Sequence, residues 1–590
     1  MKVKERPSKQ NKDRSKGRKF AFIATTLVCV LAIAMVITGV VLQRMSMNEL
    51  GDATASDGSG SKNPLSSLFG SGTSWQLGYV SAESASAEFY DSSGKLVGTV
   101  IRGTQVQFAT TEDGKVEIVS NGVRGYLQKG ASVVSDPTQV IPNHRRYVRT
   151  ALNFRDENGK LLETFATKGT SVEVIGYDYF EEDGEVHMYK VRLNGEEGYI
   201  MPWYLEDTKA DSLESYNGDG NFDTHSDRTD RFGGGGAGNL DYFPREKGDF
   251  EDNVMPDECR ALYVISVNID NIDLYLEIAN QSDINTFVVD ITDGKSMGYA
   301  SDVMRAYSPT AASMAHYTVE EYRAAIQKIK DAGYYVVGRI TTFNDTYFVS
   351  DNPECAIATT EGEPMRIAGA YWPSAFSRYA WQYKVDLAVE AVQLMGFNEI
   401  NFDYVRFPDN TVKYEEEGTI DFRNVYNETK AQAVQRFLMY ATDILHEQGV
   451  YVSADVYGET AYGYVTSYGQ YWPAISNVAD VICGMPYPDH FGITDGVRPW
   501  EHPYETLLSW GGSVMKRQGE ISTPAIVRTW VQAYDAIKPP YNPYGPEEVL
   551  AEINGLRDAG CTGGYMTWNG TASVTKYREL IPAFTAPDDE

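Results

Sequence analysis

The sequence predicts an α/β protein whose largest part is a (β/α)8 barrel, in which eight parallel strands alternate with helices. From Cys259 onward, apolar runs of strand length alternate with amphipathic segments of helix length. Several of these segments end in a glycine directly before the next apolar run, as a helix does when it stops ahead of a strand. Eight such units in about 320 residues agree with the usual size of this barrel. An open parallel sheet is the alternative.

The predicted elements of the barrel domain, residues 257–582, can be placed individually. The eight strands cover residues 261–267, 286–291, 334–340, 399–402, 451–456, 481–485, 525–529 and 564–568. The clearest helices cover residues 319–332, 379–395, 430–447, 504–517 and 547–559. The glycines that end helices are Gly333, Gly396, Gly449 and Gly560.

The amino-terminal end predicts a membrane anchor. Residues 20–42 contain no charged side chain, and these 23 residues are enough to cross a bilayer as a transmembrane helix. Residues 1–19 are rich in Lys and Arg, which predicts that this tail stays in the cytoplasm and that the rest of the chain is extracellular. A cleaved signal peptide is the alternative, although no good small-residue cleavage site follows the apolar run. Residues 43–75 are rich in Ser and Gly and predict a flexible stalk.

Two copies of one pattern lie between the stalk and the barrel. Residues 87–96 match residues 152–161, and Gly103-Thr104 matches Gly169-Thr170. Short alternating runs, separated by Asp-Gly and Asn-Gly turns, predict a small all-β unit in each copy, at residues 76–137 and 143–206. Residues 207–256 lose this periodicity and predict a solvated linker.

Charge and composition exclude some partners and favour others. The net charge is -30, and beyond residue 19 the chain carries 43 basic and 80 acidic side chains. Such a surface repels nucleic acid. The 40 Tyr and 9 Trp residues suit carbohydrate, which binds by stacking and hydrogen bonding. The five cysteines form no Cys-x-x-Cys pair and the seven histidines no His-x-x-x-His pair, so no disulfide framework, metal or other cofactor is predicted.

Two acidic residues stand at the ends of neighbouring predicted strands, where a (β/α)8 barrel has its catalytic mouth. Glycoside hydrolysis requires a pair of carboxyl groups, one protonated and one ionised. We therefore expect Asp403 to be the nucleophile or transition-state stabiliser and Asp455 to be the general acid, with a pKa raised by burial. Glu459 is the alternative acid. Arg406, if it folds back, is expected to keep Asp403 ionised by its opposite charge, and a structural ion pair is the alternative.

Further polar and aromatic side chains follow the same strand ends and are predicted to bind the substrate. They are Asp290, Asp293, Arg339, Tyr404, Arg406, Tyr487, His490, Trp530 and Trp568. For Tyr487, His490, Trp530 and Trp568, core packing is the alternative. For Asp290, the alternative is a buried, hydrogen-bonded carboxylate. Glu399 begins the fourth strand, and we expect it at the opposite end of the barrel in a structural role.

Five motifs of the barrel carry a resemblance to a known family. They are residues 289–294, 338–343, 453–458, 484–490 and, most specifically, Gly396-Phe-Asn-Glu-Ile-Asn-Phe-Asp-Tyr-Val-Arg-Phe-Pro408. Through them, roughly residues 259–580 resemble the glycoside hydrolase-like domain of bacterial surface proteins, first catalogued as a domain of unknown function. The resemblance implies a sugar-cleaving barrel. Where members of this family often have Ser-His after the sixth strand, this chain has Asp489-His490.

The second all-β copy resembles a bacterial SH3 domain through Leu152-Asn-Phe-Arg, residues 168–174 and residues 191–200. That resemblance implies peptidoglycan binding, and a spacer that holds the barrel away from the membrane is the alternative. The predicted function is a membrane-anchored, extracellular glycoside hydrolase acting on a cell-wall or extracellular polysaccharide. A non-catalytic barrel that binds wall glycan together with the SH3-like domains is the alternative, and a metal-dependent deacetylase is a third.

Overall fold

The computed structural model describes residues 75–585, apart from residues 142, 218–221, 223–224 and 226–233. The predicted basic tail (1–19), transmembrane helix (20–42) and nearly all of the stalk (43–75) lie outside the described residues. Within the part that is described, no helix is long and apolar enough to cross a membrane. The described residues from Gln76 onward belong to one compact unit.

Two antiparallel sheets of seven strands come first. The first contains β1 (Gln76–Ser81), β2 (Ser86–Tyr90), β3 (Leu96–Ile101), β4 (Gln105–Thr110), β5 (Val116–Ser120), β6 (Val123–Leu127) and β7 (Ser132–Val134). The second contains β8 (Arg145–Val148), β9 (Leu152–Arg155), β10 (Leu161–Ala166), β11 (Ser171–Tyr177), β12 (Tyr189–Leu193), β13 (Glu196–Ile200) and β14 (Leu205–Glu206).

The two sheets have the same topology, which confirms the internal repeat. Their strand orders are β3-β2-β6-β5-β4-β1-β7 and β10-β9-β13-β12-β11-β8-β14, so each strand has its counterpart seven strands later. Gly103 and Gly169 occupy the same turn at φ values of 82° and 79°, a left-handed conformation that favours glycine. This requirement explains why the Gly-Thr pair recurs in both copies. The SH3-like resemblance stays a prediction.

The carboxyl-terminal part is a nearly closed parallel barrel. Its strands are β15 (Cys259–Val264), β16 (Thr286–Thr292), β19 (Tyr335–Thr341), β23 (Glu399–Asp403), β25 (Tyr451–Tyr457), β26 (Val481–Met485), β27 (Ile526–Val527), β28 (Thr529–Gln532) and β29 (Gly564–Trp568). β27 pairs with β26, and β28 pairs with β29, so the two pieces of the seventh strand complete the ring. Short strands lie outside the ring: β17 (Met297–Tyr299), β18 (Ala315–Tyr317), β20 (Ala358–Thr359), β21 (Arg366–Ile367), β22 (Ala370–Tyr371) and β24 (Ile420–Asp421).

The helices of the described residues lie mainly between the barrel strands. They are α1 (Lys209–Ser212), α2 (Ile272–Ala279), α3 (Asp302–Tyr307), α4 (Pro309–Ser313), α5 (Val319–Asp331), α6 (Thr346–Asp351), α7 (Arg378–Met395), α8 (Val412–Glu417), α9 (Lys430–His446), α10 (Trp472–Ser476), α11 (Pro503–Gln518), α12 (Pro546–Asp558) and α13 (Val574–Glu579). The predicted barrel helices and strands are confirmed to within a few residues, except that the seventh strand is interrupted at Arg528.

The Arg528 side chain, at the interruption of the seventh strand, is buried inside the barrel. Its Nη1 donates to Glu399 Oε1 at 2.8 Å, and both side chains are fully buried. Glu399 starts β23, so this ion pair lies at the amino-terminal end of the barrel, away from the mouth. The structural role expected for Glu399 agrees with this position.

Residues 207–256 differ from the solvated linker that their composition predicts. Asn253 Nδ2 donates to the carbonyl oxygens of Asn398 and Gly449 at 2.8 and 2.9 Å, just before β23 and β25 begin. Lys247 Nζ donates to three carbonyl oxygens that follow or end α10, at 2.8 to 3.0 Å. Scattered apolar residues, Phe222, Ala237, Leu240 and Tyr242, are buried against the barrel domain. Because these anchors are isolated, no periodic pattern reveals them.

The second sheet docks on the barrel through a buried carboxylate. Asp443 of α9 accepts hydrogen bonds from Arg155 of β9 at 2.6 Å, from the Tyr204 hydroxyl at 2.8 Å and from Arg245 at 2.7 Å. Beside it, Arg378 of α7 donates to Asn153 Oδ1 at 2.8 Å. Since a buried charge requires opposite charge and hydrogen bonds, these contacts fix the second sheet to the outer helices.

We expect Asp443→Asn to destabilise the protein by about 3 kcal/mol or more, because it leaves two arginines buried without their counter-charge. Urea unfolding of the full chain measures this loss. Asp252→Asn, at an exposed position within residues 207–256, is the matched control and is expected to leave the free energy of unfolding unchanged. Equal unfolding midpoints for the two variants would contradict the docking role of Asp443.

Candidate active site

A cavity of about 640 Å³ opens at the carboxyl-terminal ends of the barrel strands. Ten of the twelve predicted site residues line it: Asp403, Asp455, Glu459, Arg339, Tyr404, Arg406, Tyr487, His490, Trp530 and Trp568. Sequence reasoning missed other lining residues, which are Tyr457, Gly458, Tyr462, Tyr464, Met485, Phe491 and Gly492. The lining is thus acidic at its floor and aromatic along its walls.

Arg339 is the central cation of the cavity floor. On one side its Nη1 donates to Asp290 Oδ1 at 2.6 Å, and on the other its Nη2 donates to Asp403 Oδ2. Its guanidinium carbon lies 5.5 Å from the ring centroid of Trp568. The Arg339 side chain is almost fully buried, although it lines the floor of the cavity. Burial opposes its charge, but the adjacent carboxylates outweigh that effect and raise the pKa of Arg339 well above its usual value.

The expected pairing of Arg406 with Asp403 is wrong, because the chain turns directly after β23. Tyr404 adopts a positive φ of 51°, and the Arg406 amide donates to the Tyr404 carbonyl at 2.8 Å. The Arg406 side chain therefore reaches the Tyr457 hydroxyl at 2.5 Å and the Phe407 carbonyl at 3.0 Å. Arg339, from the neighbouring strand, supplies the positive charge beside Asp403 instead.

Asp455 lies beside Asp403 because Phe402 and Ala454 are paired in adjacent parallel strands. Its Oδ1 accepts from Trp530 Nε1 at 2.8 Å and from Asn401 Nδ2 at 2.9 Å. Its Oδ2 is buried without a hydrogen-bond partner among the described residues and lies 3.8 Å from Arg339 Nε.

The protonated form of Asp455 is favoured by its surroundings. Burial is the largest effect, and the negative charge of Asp403 adds to it, so the pKa of Asp455 is well above its usual value. Arg339, Trp530 and Asn401 act in the opposite direction but do not outweigh them. The carboxyl groups of Asp403 and Asp455 therefore have different electrostatic surroundings, as the roles of a general acid and an ionised partner require.

Glu459 belongs to the wall of the cavity. It lies in a short turn, Gly458–Ala461, that follows β25. The Tyr464 hydroxyl donates to its Oε1 at 2.8 Å and the Tyr468 hydroxyl to its Oε2 at 3.0 Å. Glu459 is half-buried, in contrast to the nearly fully buried Asp455.

Asp290 and Asp293, both predicted to bind the substrate, do not line the cavity. Asp290 is aligned with Arg339 in the strand register, one layer below the mouth, and also accepts from the Tyr263 hydroxyl at 2.6 Å. Burial raises its pKa to about 6, although Arg339 and Tyr263 oppose this. Asp293 accepts from the amides of Lys295 and Ser296 in the turn that follows. Asp290 thus orients the side chains of Arg339 and Tyr263, and Asp293 stabilises the turn that follows β16.

Two supporting residues, Asn401 and Tyr263, were not among the predicted site residues. Asn401 stands two positions before Asp403, so both side chains point to the same face of the strand. That spacing is a signal that was available in the sequence. Tyr263 lies in a strand whose end carries no run of polar residues, and no comparable signal pointed to it.

No group of three or more His, Cys, Asp or Glu side chains is placed to hold a metal ion in the part of the chain that the structure describes. Cys259, Cys355, Cys483 and Cys561 are buried free thiols.

An acidic cavity at this end of a (β/α)8 barrel is the arrangement of barrel enzymes. Residues 261–574 match a family model described as "Putative glycosyl hydrolase domain", which covers more than half of the 590 residues. The chain belongs to this family, and it is a glycoside hydrolase by family. No curated protein matches the chain.

Solved structures show likenesses to parts of the chain. A hypothetical protein from Ruminiclostridium thermocellum ATCC 27405 is 30% identical over 33% of this chain and 97% of its own, with a TM-score of 0.28. The PgaB (BpsB) glycoside hydrolase domain from Bordetella bronchiseptica is 15% identical over 55% and 99%, with a TM-score of 0.39. Flavobacterium johnsoniae chitobiase is 12% identical over 56% of this chain and 48% of its own, with a TM-score of 0.37.

We expect Trp530→Phe to raise the pKa of Asp455 further, because it removes the indole N–H that favours the ionised carboxylate. Infrared absorption of the protonated carboxyl group, followed with pH against an Asp455→Asn reference, measures this change. Trp500→Phe is the matched control, since Trp500 is a buried tryptophan whose Nε1 has no partner among the described residues. A Trp530→Phe titration that coincides with that of the control would contradict the assigned hydrogen bond.

Proposed function

We propose that this chain cleaves a cell-wall or extracellular polysaccharide by carboxylate acid/base catalysis. The observation that supports this most strongly is the pair Asp403 and Asp455, which come from neighbouring strands and meet at Arg339 on the cavity floor. Glycoside hydrolysis requires two carboxyl groups in different protonation states. An arginine bonded to one of them and burial around the other supply that difference.

Asp403 is the nucleophile or the carboxylate that stabilises the developing positive charge on the sugar. Arg339 and the Tyr404 amide, at 2.6 Å from Oδ1, hold its two oxygens in a defined orientation. Such preorganisation lowers the cost of reaching the transition state, since the groups need not reorient during the reaction.

Two residues compete for the role of general acid. Burial and the charge of Asp403 raise the pKa of Asp455 well above its usual value, as a general acid requires, but both of its oxygens are enclosed by protein. Glu459 is more exposed to the cavity and carries its carboxylate between two tyrosine hydroxyls. We propose Asp455 as the acid, with Glu459 as the alternative, and the variants described below separate them.

The cavity and the amino-terminal segments support proposals for the substrate and the location. A cavity of about 640 Å³ with tyrosine and tryptophan walls suits sugar rings, whose C–H faces stack on aromatic side chains.

The apolar segment 20–42, with basic residues before it, supports anchoring in the cell membrane with the barrel outside. The resemblance of residues 143–206 to bacterial SH3 domains supports a contact of the repeats with peptidoglycan. Because Asn153 and Arg155 of the second copy bind the barrel, the first copy is the better candidate for that contact.

We expect Asp403→Asn to reduce glycan release by a factor of about 10³ or more, and replacement of the general acid to reduce it by about 10² to 10⁴. The assay uses the full chain from the membrane fraction of producing cells, with purified peptidoglycan, chitin and starch as separate substrates and analysis of the released sugars. Asp455→Asn and Glu459→Gln are compared directly, and the larger loss identifies the acid. Asp495→Asn, at an exposed loop position, is the control.

Three outcomes would each contradict one of these proposals. Glycan release that survives both Asp403→Asn and Asp455→Asn would overturn the assigned catalytic pair. Glycan binding without release by the parent protein would favour the non-catalytic barrel. Recovery of the chain in the soluble fraction would contradict membrane anchoring.

A further inference from the structure

Asp489 and His490 form a pair at the mouth of the cavity. They lie in the short turn Pro488–His490 that follows β26. His490 lines the cavity and has 56% of its side chain exposed, whereas the Asp489 side chain is fully buried. None of the steps proposed for catalysis uses this pair.

Asp489 is held as a hydrogen-bond acceptor by donors on two loops. Its Oδ1 accepts from His490 Nδ1 at 2.7 Å and from the Tyr534 hydroxyl at 3.0 Å, and its Oδ2 accepts from the Ile537 amide at 3.0 Å. Burial opposes ionisation, but the bonds from His490 and Ile537 outweigh it, so the pKa of Asp489 lies below its usual value. An ionised carboxylate has no proton to donate.

The state of Asp489 determines which nitrogen of His490 carries the proton. Because Asp489 can only accept, Nδ1 of His490 must be the donor, and in a neutral imidazole Nε2 then keeps its lone pair. The Tyr534 hydroxyl lies 3.4 Å from Nδ1, but it has the nearer acceptor in Asp489 at 3.0 Å. Nε2 of His490 makes no hydrogen bond to a side chain of the described residues, whereas Nδ1 is bonded to the buried Asp489.

We propose that His490 binds the substrate, with Nε2 accepting a hydrogen bond from a sugar hydroxyl group, and that Asp489 is the positioning residue that fixes this tautomer. The ligand class is a carbohydrate that presents a hydroxyl donor at the cavity mouth. This inference rests on the proposed function for the identity of its ligand. It assigns a specificity role to the Asp489-His490 pair.

The ring environment of His490 is consistent with a fixed orientation. The Tyr487 ring contacts the His490 ring, with 5.4 Å between the ring centroids and 61° between the ring planes. Loop 534–538 is tied to the same turn, since Lys538 Nζ donates to the Phe491 carbonyl at 3.3 Å. Because the His490 ring is already held at Nδ1 and in contact with Tyr487, it loses less conformational entropy on binding a ligand at Nε2 than a freely rotating ring would.

The tautomer is tested first, on the full-length protein labelled with ¹⁵N-histidine. In spectra recorded over a series of pH values, the neutral form of His490 is expected to carry its proton at Nδ1 only. His490→Gln identifies its signals among those of the seven histidines. Asp489→Asn is expected to move the proton to Nε2, because the new amide can donate to Nδ1. Asp495→Asn, an exposed position on the same loop, is the control and is expected to leave the tautomer unchanged.

Kinetics on the glycan that the full chain releases provide the second test. His490→Ala and Asp489→Asn are each expected to raise KM about 5- to 10-fold, the effect of one hydrogen bond, with kcat nearly unchanged. An Nε2-protonated His490 in the parent protein, or a KM unaffected by His490→Ala, would overturn the proposal. The ¹⁵N spectrum needs no substrate, so a failure of the tautomer assignment is distinct from a failure of the proposed hydrolase activity.

Discussion

One buried guanidinium, that of Arg339, determines the arrangement of the cavity floor. It binds Asp290 below and Asp403 beside it, and its Nε lies near Asp455. Three carboxyl groups lie in this enclosed volume, and Arg339 offsets the cost of burying those that are ionised, which is several kcal/mol for each unpaired charge. The bidentate geometry of arginine is suited to the task, since it can bond two carboxylates from different strands at once. Everything that we propose about catalysis depends on this contact.

The barrel architecture explains why these residues meet. The strand register aligns Asp290 with Arg339 and Arg339 with Asn401, so three neighbouring strands place their polar side chains in one layer. Asp403 stands two residues beyond Asn401, in the layer next to the mouth. A second ion pair, Arg528 with Glu399, occupies the opposite end. Charge is therefore paired at both ends of the barrel interior, and the carboxyl-terminal end opens into the cavity described above.

The sequence predicts the fold and most of the cavity, because both depend on local patterns. Strand periodicity, helix-stop glycines and polar residues after strands place ten predicted residues at one mouth. Contacts between side chains of different strands cannot be predicted from such local patterns. Arg406 follows Asp403 closely in sequence but turns away, and Arg339, more than sixty residues earlier, takes its place. The position of a residue along a strand also does not show how deep its side chain lies in the barrel. Asp290 is therefore predicted at the mouth, although it lies one layer below it.

The central claim is that Asp403 and Asp455 share one electrostatic site. The most direct measurement is the titration of the Asp455 carboxyl group by infrared absorption in the parent protein and in Asp403→Asn. The negative charge of Asp403 raises the pKa of Asp455, so its removal is expected to lower that pKa. A pKa of Asp455 that is the same in both proteins would show that the two carboxyl groups do not act on each other, and it would contradict the proposed catalytic pair.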